Sequence, residues 1–108
     1  MEFEYLYRFT ERAVQDLDEI LKYISLDLGN PIAAGNFGKK VFEKIDMIRL
    51  FPDSCERVDN EFLTDKSLRK SLVDNYIIYY KLDYIQKIII IVRVIYGKRN
   101  LDDVLKNI

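Results

Sequence analysis

Two apolar stripes of helical period, separated by Gly29-Asn30-Pro31, constrain this 108-residue chain more than any other feature. Val14, Leu17, Leu21, Ile24 and Leu28 recur three and four residues apart, which puts one greasy stripe on a helix of about five turns. Thr10 can cap its start, and Glu11 suits the positive end of its dipole. Gly29 supplies the C-terminus, because glycine enters the left-handed conformation without steric strain. Asn30 then caps a second helix and Pro31 takes its first position, where a missing N–H does no harm. Ala34, Phe37, Val41, Ile45 and Ile48 form the second stripe, and Pro52 stops it. Helices joined by so few residues fold back on each other as an antiparallel hairpin.

Around the hairpin the period changes to two. Phe3, Tyr5, Tyr7 and Phe9 alternate with Glu4, Leu6 and Arg8, which predicts an opening strand. Residues 53–67 have no period and read as a loop with a short turn around Glu61-Phe62-Leu63. Three strands follow: Leu68–Val73, a tight Asp74-Asn75 turn, Tyr76–Leu82, a turn near Asp83–Gln86, and Lys87–Tyr96. Short links make these an antiparallel meander. Ile88–Val92 is apolar on both faces and should be a central, doubly covered strand. Gly97 ends it, and Asn100 with Asp102 and Asp103 starts a short helix, Leu101–Ile108. The order β-α-α-β-β-β-α gives an α+β fold, an antiparallel sheet with the N-terminal helical hairpin on one face, and one domain over residues 1–108.

Composition narrows the chemistry. Hydrophobic residues at 49% and charged ones at 32% describe an ordinary globular chain. One cysteine, Cys55, excludes an internal disulfide framework and fits a reducing cytoplasm. The complete lack of histidine removes Ser-His-Asp and Cys-His sites, HExxH zinc sites and any histidine acid/base step. Neither a metal nor a cofactor is expected. The acidic opening, Met1-Glu2-Phe3-Glu4, is unlike a secretory leader, and the apolar run Ile88–Val92 is far too short to cross a bilayer.

The net charge of -1 hides a polarity. Residues 1–65 hold 8 Lys/Arg against 14 Asp/Glu, whereas residues 66–99 hold 8 against 2. Such asymmetry points to a basic face for an anionic partner. Gatekeeper lysines that protect the strands from aggregation are the plainer reading.

Four segments resemble the RelE/ParE superfamily, the toxin halves of bacterial type II toxin–antitoxin pairs. They are Thr10-Glu11-Arg12-Ala13; Asn30-Pro31-x-Ala33-Ala34 with Leu50-Phe51-Pro52; Leu68-Arg69-Lys70-Ser71-Leu72-Val73-Asp74-Asn75-Tyr76 and its continuation to Tyr80; and Ile95-Tyr96-Gly97-Lys98-Arg99-Asn100. Together they cover nearly the whole chain in the family's order. The resemblance implies a cytoplasmic toxin held silent by a cognate antitoxin, in a hetero-oligomer and with no membrane partner. RelE-like members cut messenger RNA on the ribosome; ParE-like members poison DNA gyrase.

Cleavage of RNA needs an activated 2′-hydroxyl, a stabilised phosphate and a protonated leaving oxygen. The resemblance assigns phosphate binding to Arg69 and Arg99, with Lys98 and Arg93 nearby, and arginine's planar fork suits that task. The acid/base part is poorer: the family's terminal tyrosine position falls on Leu105, and Tyr96 is the only hydroxyl close by. Packing is the commoner role for a strand tyrosine such as Tyr96, and for Tyr76, Tyr79 and Tyr80, which could otherwise stack on bases. Arg69 could equally be a structural ion-pair residue. The carboxylates Asp16 and Glu19 read as solvated helix surface.

The expectation is therefore a ParE-like toxin acting on DNA gyrase through Lys98, Arg99 and Arg93. The alternatives are a RelE-like ribonuclease using Arg69, Lys98, Arg99 and Tyr96 on ribosome and mRNA, or a decayed toxin that only binds antitoxin. Ile20, Phe42 and Met47, apolar but off the main stripes, give the hairpin more greasy surface than one sheet face needs, which suits an amphipathic antitoxin segment.

Overall fold

A computed structural model describes residues 4–108. Its elements are β1 (Leu6–Phe9), α1 (Glu11–Lys22), α2 (Pro31–Leu50), β2 (Arg69–Val73), β3 (Tyr76–Asp83), β4 (Ile88–Tyr96) and α3 (Leu101–Lys106). Phe3, expected in the opening strand, lies outside the described residues.

The sheet is four-stranded in the order β1-β4-β3-β2. β2, β3 and β4 form the expected meander, and β1 lies parallel to β4 with Leu6 opposite Ile88. The helical connection between β1 and the meander is what allows that parallel pairing, since a short turn could not. β4 is one of the two inner strands, with β3, and both of its faces are covered. On one face Ile89, Ile91 and Val94 pack with Ile78, Tyr80 and the hairpin residues Ala13, Leu17, Phe37, Val41, Ile45 and Ile48. On the other, Val92 and Ile95 pack with Ile77, Tyr79, loop residues Val58, Leu63 and Leu68, and Val104 and Leu105 of α3.

The caps form as the sequence predicts. Thr10 Oγ1 accepts from the Ala13 N–H at 3.1 Å, and Asn30 Oδ1 from the Ala33 N–H at 3.0 Å. All five stripe residues of α2 are buried.

The first stripe needs correction. The expected single helix ends at Lys22 and continues as a π-helical turn, Tyr23–Asp27, closed by Leu28 N–H donating to Tyr23 C=O at 3.0 Å. The widened turn rotates the residues after it off the helix's line, so Leu28 is 59% exposed. Leu17, Leu21 and Ile24 of the expected stripe pack with the core as predicted. Val14, at 54% exposed, does not, and Ala13 and Asp16 are buried beside Leu17 in its place.

Candidate functional site

The functional candidates gather at the far end of β4, and a bulge decides which way they point. Tyr79 pairs with Arg93 but Tyr80 with Ile91, so Val92 is an extra residue in β4. β1 stops at Phe9, opposite Ile91, and beyond it the edge of β4 meets α1 instead of a strand. α1 supplies the missing partners. Thr10 N–H donates to Ile91 C=O at 2.9 Å, and Thr10 Oγ1–H to Val92 C=O at 3.1 Å. Asp16 Oδ2 accepts from the Val94 N–H at 3.0 Å and from Arg93 Nε at 2.7 Å; Arg93 Nη2 reaches Asp16 Oδ1 at 3.2 Å.

Asp16 is only 5% exposed and Arg93 9%. A buried carboxylate that takes a two-pronged arginine and a backbone N–H has its charge matched in full. Asp16 is therefore a structural partner of Arg93, not the solvated surface carboxylate expected from its neighbour Glu19. Its position between Ala13 and Leu17 on the inward row was the signal that could have found it.

Arg93, expected at a target contact, lines a groove of about 630 Å³ with Arg12, Lys81, Arg99, the α3 cap Asn100 and, from α3, Asp103. Most of that charge is already committed. Arg12 Nε lies 3.6 Å from Asp16, and Lys81 Nζ 2.6 Å from Asp65 of the long loop. The Lys81 ammonium, together with the Ser67 hydroxyl and N–H, holds the Asp65 carboxyl well below the usual carboxylate range.

Arg69 lies elsewhere. Alternation along β2 places it on the face of Ser71 and Val73, and Val73 belongs to the core under the hairpin. Its guanidinium clasps the start of the loop: Nη1 donates to the Cys55 carbonyl, and Nη2 lies 3.4 Å from Asp53 Oδ1, which also accepts from Tyr84 Oη at 2.7 Å. The Arg69 side chain is left 11% exposed. The structure thus does not bring Arg69 together with Arg99.

Lys98 and Arg99 sit on the turn after β4, and the hairpin turn between β2 and β3 fixes them. Gly97 N–H donates to the Asn75 carbonyl at 2.7 Å, and Arg99 N–H to the Tyr96 carbonyl at 3.0 Å. A Cβ at Gly97 would stand 3.1 Å from the Asn75 oxygen, so a side chain there would push the Asn75 carbonyl away by a few tenths of an ångström. Among the described residues, neither Lys98 nor Arg99 makes an ion pair or side-chain hydrogen bond. They are the uncommitted cations of the basic segment.

Tyr96 is 42% exposed and meets the Tyr76 ring edge-on at 5.5 Å, with Phe37 4.9 Å beyond Tyr76. Burial and the neighbouring Tyr23 and Tyr96 push the Tyr76 hydroxyl up, away from proton transfer at neutral pH. Tyr79 and Tyr80 are buried core residues, as packing predicted. Leu105, at the family's tyrosine position, is buried under the sheet. Among the described residues no group of three or more His, Cys, Asp or Glu side chains could hold a metal, and no helix is long and apolar enough to cross a membrane.

The same fold recurs among solved structures. The chromosomal ParDE toxin–antitoxin system from P. aeruginosa contains a chain matched with TM-score 0.66 at 17% identity, covering 87% of this chain and 97% of that one. The archaeal RelE–RelB complex from Pyrococcus horikoshii gives TM-score 0.59 at 15% identity, with 88% and 97% covered. The RelBE2 complex from Mycobacterium tuberculosis gives 0.58 at 18%, with 85% and 96% covered. No curated protein matches the chain. A family model for the ParE toxin of type II toxin–antitoxin systems, parDE, matches residues 7–101, and with nearly the whole chain inside that match the chain belongs to the ParE toxin family.

Proposed function

We propose that this type II toxin stops growth by binding DNA gyrase, with the Lys98-Arg99 turn as its basic contact, and that a cognate antitoxin silences it. The observation that carries the reading is where the arginines are spent. A phosphate in RNA cleavage wants two free guanidinium forks converging on it. Here Arg69 is tied to the 53–55 loop on the hairpin side of the sheet, and Arg93 is tied to Asp16. Arg99 alone is left, with Lys98 beside it. The chain also lacks histidine, and Leu105 is buried where the family's nucleases have a tyrosine. A rigid turn carrying two uncommitted cations suits recognition of an acidic protein surface better than acid/base chemistry.

The second reading, a RelE-like ribonuclease, draws on the groove that Arg12, Lys81, Arg93 and Arg99 share. Purified toxin added separately to a gyrase supercoiling assay and to ribosome-dependent translation separates the two. Loss of supercoiling with intact messenger supports gyrase; cut messenger with unaffected supercoiling overturns it. Inactivity in both, with antitoxin still bound, identifies a decayed toxin.

The antitoxin has surface to cover. Leu26, Ile32, Met47 and Phe51 are each more than half exposed, and Phe42 42%. An amphipathic segment that folds as it binds would bury them. Co-expression with the product of a neighbouring small gene should raise the melting temperature by mass action.

A further inference from the structure

We propose that Cys55 is an oxidation site: a hydroperoxide converts its thiol to a sulfenic acid, whose added oxygen accepts a hydrogen bond from the buried Tyr80 hydroxyl. Two independent observations meet here. One is a free thiol, partly exposed at the start of the long loop and so within reach of a small oxidant. The other is Tyr80, fully buried, whose hydroxyl is the one buried side-chain polar atom without a hydrogen-bond partner among the described residues. A buried O–H with no acceptor is destabilising, and native structures hold few of them.

Strand pairing and the loop bring the two groups together. Tyr80 of β3 stands opposite Arg69 of β2, so both side chains rise on the hairpin face of the sheet. Arg69 Nη1 donates to the Cys55 carbonyl, which ties residue 55 to that pair, and the Cys55 side chain packs on the core cluster that contains Tyr80. Burial, and next the Cys55 sulfur, push the Tyr80 hydroxyl up, so its proton stays on oxygen as a donor facing the sulfur. Ser54 Oγ lies 3.8 Å from Sγ. Arg69 and Asp53 already balance each other's charge at 3.4 Å. A neutral sulfenic acid adds no charge beside them, whereas further oxidation to a sulfinate would add a negative one.

The step balances with the peroxide as oxidant. The thiolate attacks the terminal peroxide oxygen, and the S–O bond forms as the O–O bond breaks. Sulfur gives up two electrons, and the departing oxide takes a proton from water and leaves as an alcohol, or as water when the oxidant is hydrogen peroxide. With one cysteine in the chain, no second thiol of the same molecule can condense with the product. A small external thiol returns it to cysteine through a mixed disulfide. The site uses none of the groups assigned to the gyrase contact and stands or falls separately from it.

The test treats the purified full chain with hydrogen peroxide, removes the excess with catalase, and adds dimedone after increasing delays. Dimedone traps sulfenic acids, and peptide mapping by mass spectrometry places the adduct, which separates it from oxygen taken up by the exposed Met47. Wild type should carry the adduct on Cys55 and stay reactive longest. Tyr80→Phe should also label there, with a sulfenic acid lifetime roughly fivefold shorter, the factor that one lost hydrogen bond implies. Its reduced form should melt no lower than wild type, because the hydroxyl it lacks bonds nothing in the fold. No adduct on Cys55 in wild type overturns the proposal. So does a sulfenic acid in Tyr80→Phe as long-lived as that of wild type. A reduced Tyr80→Phe that melts lower overturns it too, since the hydroxyl would then already be satisfied.

Discussion

Removing the Asp16 carboxylate would strip the buried Arg93 guanidinium of its counter-charge and the Val94 N–H of its acceptor at once. Breaking one half of a buried pair costs about 3–5 kcal/mol, so Asp16→Ala should lower the urea midpoint more than any other single charge removal in the chain. The Arg69→Ala change is expected to be intermediate. It frees the Cys55 carbonyl and the Asp53 carboxylate from a charged donor, for about 1–3 kcal/mol, and toxicity should fall only as the folded fraction falls. Arg69→Lys should recover part of the stability, since it keeps the charge and loses the fork. Arg99→Ala removes no ion pair or side-chain hydrogen bond seen among the described residues, so its stability should stay within about 0.5 kcal/mol, while growth inhibition in a plate assay is lost. Equal and complete loss of toxicity from Arg69→Ala and Arg99→Ala, at unchanged stability, would instead argue for a phosphate site and a ribonuclease.

Between elements, the long loop is tied to the sheet by Lys81 of β3 and Asp65. The lowered Asp65 pKa means the folded state holds this carboxylate charged more firmly than the unfolded chain does. Its contribution is complete above the unfolded carboxyl pKa of about 4 and fades as the pH falls through the lower folded value. The pair is partly solvated, so the effect is under about 1 kcal/mol. Comparing the urea midpoints of wild type and Asp65→Asn should show a gap at neutral pH that closes in acid. The helix junction is also testable: Asn30→Ala removes the cap on α2 and should cost about 1 kcal/mol. These elements were legible in the sequence to different degrees. α2, its cap and the meander announce themselves through period, Asn-Pro and two-residue turns, which are local signals. The π-helical turn and the shift from Val14 to Ala13 were not legible, because what α1 packs against is a strand some 80 residues away in the chain. The Lys98-Arg99 turn was legible from Gly97. The Asp16–Arg93 pair was not, since it depends on the bulge at Val92 and on β1 ending early.

Across the molecule, the sequence polarity of residues 66–99 does not become one basic face. Arg69, Lys70, Lys81, Lys87 and Arg93 each meet a carboxylate from elsewhere in the chain, and Lys66 donates to the Asn60 carbonyl at 3.0 Å. Partnering of this kind lets cations guard strands without building a field, and it leaves Lys98 and Arg99 as a small local source of positive potential on a chain of net charge -1. That distribution makes a kinetic prediction. A concentrated patch steers encounter with an acidic surface, and steering is screened once the Debye length shrinks to about 10 Å near 0.1 M salt. Association of the toxin with gyrase, followed by surface plasmon resonance, should slow as salt rises, while dissociation changes little. Lys98→Ala with Arg99→Ala should flatten that salt dependence and lower the low-salt on-rate. The antitoxin, which has exposed Leu26, Ile32, Met47 and Phe51 to cover, should bind wild type and double variant alike at every salt concentration. Antitoxin binding that weakens in step with gyrase binding would mean that both partners read the same turn, and that neutralisation works by direct competition for Lys98 and Arg99.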